Sequence, residues 1–516
     1  MSMHEKNSVH RNEEIKKLLH QANRLMISTS VDGMSNATLK NFVQDGNDLI
    51  FWAFNTEPAA EQIRLNAQVQ ALTVPAANSP SLHIEGRCYP LKDEKEITQA
   101  RQALLDAGLA PAELLNDPFL IKNKVIGYYR LKPLRIRKKE PLPEPAVQEQ
   151  IEFPQNRPSE LAVGLSDVLN RLKLWIRAVR APFFTATIVP ILLGAVIAWG
   201  DLFHAGMRAA WDWGLFWLIL IGGILAHAGT NLANDYFDHT SNNDEMNQNF
   251  SPFNGGSRVI QAGLLKPYKV LWAAILSFVL TIAIGLYLNK TVSGAYFGKS
   301  LLIYLGFLGI ALGAFYTWDP FRLGYRGLGE FSIALGFGPI MVLGTHFVLT
   351  QPLTHNNLAL WHWQKPLLAS IPIAILIMLV VWINQFQDLQ ADAQVGKNTW
   401  VVRLATFEHD QIWYEKPFLI YVIFNVIGFG FIFMLAIIGF FKPEFSTPFA
   451  FIALLPAPLT FRAIKWGQEW LKRWNDPQAD RQKLPYELLR VNVSTIGVHF
   501  LTGLLMSLAY WLGSTF

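Results

Sequence analysis

From Pro182 to the carboxy terminus the sequence carries about nine apolar segments of roughly 20 residues, the length an α-helix needs to cross the hydrocarbon layer of a bilayer. They begin near Pro182, Trp213, Pro267, Lys299, Glu330, Pro366, Pro417, Thr447 and Val493. In lipid every backbone N–H and C=O must bond within its own segment, so runs of this length predict an all-α polytopic bundle. Composition agrees: 51% hydrophobic and 16% charged over 516 residues is too apolar for an ordinary soluble enzyme. A formal charge of +5 at this length gives no pointer to nucleic acid as a partner. Cys88 is the only cysteine, which rules out an intramolecular disulfide framework and a cysteine-rich metal site. Residues 1 to 24 are polar and charged, and lack the apolar core of a secretory signal.

Residues 1 to 138 read differently. Asn12 to Ala22 has the period of an amphipathic helix, and short alternating runs follow: LMISTS from Leu25, NATLKNFV from Asn36 and DLIFWAF from Asp48. Asp32-Gly33 and Asp45-Gly46-Asn47 supply hairpin turns. Glu57 to Asn66 and Ile97 to Ala107 predict helices; VQALTV, LHIEGRCY and Val125 to Arg137 predict strands. The block is a small α+β barrel. Residues 139 to 165, rich in Pro and Glu without hydrophobic period, predict an extended linker, and residues 166 to 516 make up the membrane part. Arg171, Lys173, Trp175, Arg177 and Arg180 suit a basic interfacial helix before the first span.

Two clusters carry the chemistry. The second apolar segment ends in NLANDYFDHTSNND, where Asn234 and Asp238 share one helix face, with Asp235 beside them and Asp244 further on. About four helices later INQFQDLQADAQVGKNT places Asn384, Asp388 and Asp392 at i, i+4 and i+8. A single one of these acids could cap a helix or sit in a solvated loop, but two such clusters at membrane helix ends argue for a site. Carboxylate and amide oxygens on two facing helices suit Mg²⁺, which binds few protein carboxylates and completes its shell with water and substrate phosphates. Arg258, Lys266, Lys397 and Arg403 lie close by in sequence to meet the remaining diphosphate oxygens. An allylic diphosphate held this way ionises readily, and Phe315, Tyr316, Trp318 and Trp382 can wall the carbocation. His227 and His346, within spans, are read as packed and hydrogen-bonded rather than as ligands. With the amino terminus cytoplasmic, the loops after even-numbered spans carry roughly 14 Lys and Arg against roughly 5 on the other side. Both clusters and the barrel then face the cytoplasm across a cell inner membrane.

From Trp175 onward these residues resemble the UbiA superfamily of intramembrane prenyltransferases: nine spans, NDYFD with Asp244, and DLQAD followed by GK. NDYFDHTSNND, NGGSRVIQAGLL from Asn254 and YRGLGE from Tyr325 are most similar to the 1,4-dihydroxy-2-naphthoate polyprenyltransferases of menaquinone synthesis, less so to the 4-hydroxybenzoate enzymes. The resemblance implies a polyprenyl diphosphate donor and an aromatic acid acceptor. It implies that Asn234, Asp238, Asp388 and Asp392 hold Mg²⁺ and diphosphate, with Asp235 and Asp244 assisting. Asn384 would line the cavity toward the diphosphate, while Arg258, Lys397, Tyr325 and Arg326 would contact it or close the cytosolic loops over it. An ion-coupled secondary transporter is the alternative from another class, although its acids would sit nearer the midplane.

The order of elements from SVDGMSNATLKNFVQDGNDLIFWAFNT to LHIEGRCYPLKD resembles the pyridoxamine 5'-phosphate oxidase-like split barrel. Members of that family often bind FMN at a homodimer interface, and a chain of that kind would be a membrane-anchored flavin oxidoreductase. Asn55, Thr56, Glu57 and Glu61 stand where a basic residue for the flavin phosphate is usual, with Arg64 as a substitute. The other reading is a barrel without cofactor, serving as a docking or regulatory module.

Overall fold

A computed structural model of the protein describes residues 15, 17–74, 80–122, 124–139, 150–152, 160–247, 254–408, 411–479 and 484–515. Residues 1–14 and most of the expected linker lie outside the described residues. Contacts divide the chain into two units, Met1–Arg177 with Val259–Lys266, and Ala178–Arg258 with Pro267–Phe516.

The first unit contains a closed six-stranded antiparallel barrel. Its strands are β1 (Arg24–Val31), β2 (Met34–Asp45), β3 (Asp48–Phe54), β4 (Gln68–Thr73), β5 (Ser81–Pro90) and β6 (Ile126–Lys139). They run in the order β3-β2-β1-β4-β5-β6, and β3 pairs with β6 to close the ring, which leaves no free edge among the six. The turns are those the sequence predicts: Asp32 and Gly33, both at positive φ, join Val31 to Met34, and Gly46 at φ 62° begins the turn from Asp45 to Asp48. Alternation places Leu25, Ile27, Phe51, Ile84, Leu131 and Tyr129 inside, each essentially inaccessible, and each such side chain contributes about 1.5–3 kcal/mol by leaving water. The helix Pro58–Leu65 follows β3 and Glu94–Asp106 follows β5, the latter capped by Asp93, whose carboxylate accepts from the N–H of Lys95 and Glu96. Within the expected linker, Gln150–Glu152 pairs with Arg135–Arg137 of β6 as a short strand. The helix Glu160–Ala178 leaves Val168, Leu169, Leu172 and Ile176 exposed along one side, an apolar stripe that suits a bilayer surface.

The second unit is helical. Eight of its helices are long and apolar enough to cross a membrane. They span Ala181–His204, Trp213–Thr240, Pro267–Ser293, Gly329–Leu349, Gln364–Gln394, Glu415–Phe441, Pro448–Trp474 and Leu484–Thr515. We call the four of these that matter for the site α1 (Trp213–Thr240), α2 (Pro267–Ser293), α3 (Gly329–Leu349) and α4 (Gln364–Gln394). The expected span from Lys299 is instead a 14-residue helix, Leu301–Ala314, about 21 Å long at 1.5 Å per residue. It nonetheless returns the chain toward the end of α1, because Tyr325, just beyond it, bonds to Asp238. Gly313 lets this helix come close to α1: a Cβ there would stand 2.5 Å from Thr230 Oγ1.

His227 bonds through Nδ1 to Thr187 Oγ1 at 2.8 Å, and His346 bonds to Asp201 and Trp361, so both histidines are packed and hydrogen-bonded.

Cys88 is 1% exposed on the inner face of β5, where burial pushes its thiol well above the ordinary range. The native protein is therefore expected to resist maleimide labelling at neutral pH and to take up one equivalent only on unfolding, as mass spectrometry would record. Rapid labelling of the native chain would contradict the closed barrel.

Candidate active site

The carboxylates at the end of α1 and those at the end of α4 meet. Both helices end in polar sequence, so their last turns carry Asp235 and Asp238 on one side and Asp388 and Asp392 on the other. Lys397, three residues beyond α4, places its Nζ 3.2 Å from Asp238 Oδ2 and 3.5 Å from Asp392 Oδ1. One ammonium thus bridges the two clusters. Burial works against its charge, but Asp238, Asp392 and the nearby tyrosines outweigh that and hold Lys397 well above the ordinary lysine range.

Each acid has its own set of partners. Asp238 accepts from Asn234 Nδ2 at 2.9 Å and from the Tyr325 hydroxyl at 2.9 Å. Burial, with Asp238 adding to it, raises the Tyr325 phenol, so it stays a donor. Asp388 Oδ1 accepts from two neutral amides, Asn247 Nδ2 at 2.6 Å and Asn254 Nδ2 at 2.7 Å. Asp392 Oδ1 accepts from Asn243 Nδ2 at 3.1 Å. Asp235 takes the backbone N–H of Ser257 at 3.2 Å and its hydroxyl in a short bond. Asp244 lies 3% exposed, and burial with the fields of Asp238 and Asp235 raises its carboxyl well above the usual range. Arg258 donates to the Asp244 backbone carbonyl.

The loop after α1 is built for this crowding. Gly255, Gly256 and Arg258 all lie at positive φ, and between them the Ser257 backbone N–H turns toward Asp235. A Cβ on Gly256 would stand 2.6 Å from Asp244 Oδ2 and 3.1 Å from Asp235 Oδ1, so only glycine fits. The loop after α4 interlocks with the Tyr325 loop: Asn398 N–H donates to the Tyr325 carbonyl, and Arg403 donates to the Arg326 carbonyl at 2.6 Å.

Of the residues singled out by sequence, Asn234, Asp235, Asp238, Asp244, Arg258, Tyr325, Asp388, Asp392 and Lys397 gather in this one region. Asn384 is buried one turn before Asp388 and accepts from Asn492 Nδ2 at 2.7 Å. The Arg326 guanidinium is exposed and donates to the Pro320 carbonyl. Sequence reasoning did not single out Asn243, Asn247, Asn254 and Ser257 as partners of the acids. The signal available was the density of amides and glycines in NNDEMN and NGGS between two charged clusters.

The donor set bears on Mg²⁺ and FMN differently. Among the described residues no three acidic or histidine side chains converge closely enough to hold a metal alone. A surplus of buried carboxylates over Lys397 and Arg258 nevertheless suits Mg²⁺ shared with phosphate oxygens. In the barrel, Arg64 donates to the Asn55 carbonyl and to the Tyr129 hydroxyl, each at 3.1 Å, while Glu57 pairs with Lys40 and Glu61 with Arg177. That set offers carboxylates and an engaged guanidinium, which does not fit a flavin phosphate.

The UbiA prenyltransferase family model matches residues 187–476, more than half of the chain. Among curated proteins, a 2-carboxy-1,4-naphthoquinone phytyltransferase of Synechocystis is 27% identical over 45% of this chain and 67% of its own length. A 1,4-dihydroxy-2-naphthoate octaprenyltransferase of Bacillus subtilis is 28% identical over 44% and 64%, and one of Mycobacterium tuberculosis is 28% identical over 56% and 84%. The chain thus spans about two thirds of the length of the first two relatives. Solved structures align with the barrel region: a candidate pyridoxamine 5'-phosphate oxidase of Listeria innocua at 20% identity, covering 24% of this chain and 95% of that one, with a TM-score of 0.21. General Stress Protein 26 of Bacillus anthracis aligns at 15% identity over 28% and 99%, with a TM-score of 0.22.

Gly256→Ala is expected to leave the helical circular dichroism unchanged and to weaken calorimetric binding of magnesium pyrophosphate by at least about tenfold, roughly 1.4 kcal/mol. Unchanged binding would mean that the Asp235 and Asp244 geometry is not needed.

Proposed function

Since the chain belongs to the UbiA prenyltransferase family, we propose that it transfers a polyprenyl group from its diphosphate to an aromatic acceptor, 1,4-dihydroxy-2-naphthoate, as in menaquinone synthesis. The observation that carries this reading is the Lys397 bridge, which brings one carboxylate from each Asp-rich helix end to a single cation. A diphosphate carries the charge to replace or extend that bridge. Its oxygens would meet Lys397 and Arg258, and Tyr325 would donate to them when released from Asp238.

Asn234, Asp238, Asp388 and Asp392 would hold Mg²⁺ against the diphosphate, with Asp235, held by Ser257, and Asp244 supporting them. When bound, the metal neutralises the negative charge that develops on the leaving diphosphate. The C–O bond of the allylic diphosphate breaks, and its electron pair leaves with the diphosphate oxygen. An electron-rich ring carbon of the acceptor forms the new C–C bond, and a proton or the carboxyl group departs from that ring. The chain's part is to fix the diphosphate, keep water out and surround the cation with aromatic faces. Tyr325 is buried beside Lys397, Tyr316 is half-buried, and Phe237, the half-exposed Trp318 and Phe315 form a stacked series, aromatic faces available for that role.

The Lys and Arg bias among the loops supports a site on the cytoplasmic face of the inner membrane, where acceptor and diphosphate are made. The fused barrel is read as a module without flavin, since Arg64 is engaged and Lys40 and Arg177 are taken up by Glu57 and Glu61.

Purified full-length protein in liposomes is expected to prenylate 1,4-dihydroxy-2-naphthoate with Mg²⁺ and to stop on addition of EDTA. Asp238→Ala and Asp388→Ala should each lower kcat/KM by about 10²–10³ or more. Either variant keeping a near-normal rate would overturn the mechanism, and product with 4-hydroxybenzoate alone would overturn the acceptor.

A further inference from the structure

The helical unit has a cavity of about 420 Å³, lined by apolar and polar residues, at the end of the bundle away from the carboxylate clusters. Lys365 lines it near the first residue of α4, whereas Asp392 lies near the last; 27 residues of helix separate them, about 40 Å. It is therefore not part of the catalytic region.

Its wall is built rather than incidental. His346, fully buried, stands between Asp201 and Trp361: Trp361 Nε1 donates to His346 Nδ1 at 2.9 Å, and His346 Nε2 lies 3.0 Å from Asp201 Oδ2. An indole N–H can only donate, so Nδ1 must accept and the proton must sit on Nε2. Trp361 thereby fixes His346 as a neutral donor to Asp201. The Asp201 carboxylate gains a hydrogen bond but no cation from this partner. Thr354, 1% exposed, presents a hydroxyl to the cavity that has no partner among the described residues. Lys365 and Glu444 also line the cavity, and neither enters an ion pair among the described residues.

A buried polar group left unpaired is costly, so the Thr354 hydroxyl, in a cavity whose lining also carries Asp201, Glu444 and Lys365, calls for a complementary ligand. Two carboxylates, Asp201 and Glu444, suit a primary ammonium, and the Trp361 ring adds an aromatic face beside it. Lys365 and the adjacent His362 suit a phosphate. The volume admits a group of headgroup size. At a helix end this group lies at the depth of lipid headgroups. From these features we infer that the cavity binds a phosphoethanolamine group, with its ammonium toward Asp201 and Glu444 and its phosphate toward Lys365. The group has two sources, a phosphatidylethanolamine headgroup and free phosphoethanolamine.

The test is thermal unfolding of the full-length protein in detergent supplemented with phosphatidylethanolamine, with phosphatidylcholine, or with soluble phosphoethanolamine. Quaternary choline has no N–H to donate, so it serves as the control. The inference predicts a rise of a few degrees in Tm with the ethanolamine lipid over the choline lipid. Glu444→Gln, on an exposed loop, and Lys365→Ala should each remove that difference while leaving the lipid-free Tm nearly unchanged; Asp201→Asn should remove it too. A rise with soluble phosphoethanolamine alone, lost in the same variants, would keep the site and assign a soluble ligand. Equal effects of both lipids, no effect of any ligand, or an effect that survives Glu444→Gln and Lys365→Ala would overturn the inference.

Discussion

Lys397 holds one carboxylate from each of two membrane helices that lie 159 and 5 residues away in the chain, Asp238 and Asp392. Two acids and one ammonium in a buried region are unstable unless each oxygen finds a donor, and the surrounding loops are shaped by that requirement. Asn243, Asn247 and Asn254 approach from the loop after α1 to bond the acids of α4, and Tyr325 approaches from the segment after the short helix Leu301–Ala314 to bond Asp238. The same partners that satisfy the acids also bind the two helix ends together. Removing Lys397 would leave Asp238 and Asp392 facing each other without a counterion, a cost of several kcal/mol in a buried site.

A site satisfied mostly by neutral amides and one lysine retains a surplus of negative charge. That surplus favours further cations, and in the proposed reaction a diphosphate bridged by Mg²⁺ would bring both those cations and an anion for Lys397 and Arg258. Gly256 shows how little room the loop has, since a single Cβ would meet two carboxylates at once.

The acids were legible because helical periodicity is simple: Asn234 with Asp238, and Asp388 with Asp392, stand four apart and must share a face. Lys397 was legible from its nearness to the second cluster. Which residues satisfy the acids was not, because Asn247 and Asn254 reach Asp388 across 141 and 134 residues through a loop without period. Hydropathy likewise marked the segment from Lys299 as a span but not where its helix stops; the helix ends at Ala314, and irregular chain carries Tyr325 to the site. The barrel's strands and its Asp-Gly hairpins were readable from alternation and turn chemistry, whereas the closing pair β3 with β6 joins residues more than 70 positions apart. His346 was readable as a packed histidine; the cavity beside it depends on four separate segments converging, which no local pattern reports.

A crystal structure of the full chain soaked with Mn²⁺ and a non-reactive polyprenyl thiodiphosphate would locate the metal by its anomalous signal. Manganese is expected between the two helix ends, touching carboxylates of both α1 and α4, with the diphosphate within reach of Lys397. Manganese bound to one cluster only, or a diphosphate seated elsewhere, would contradict this arrangement.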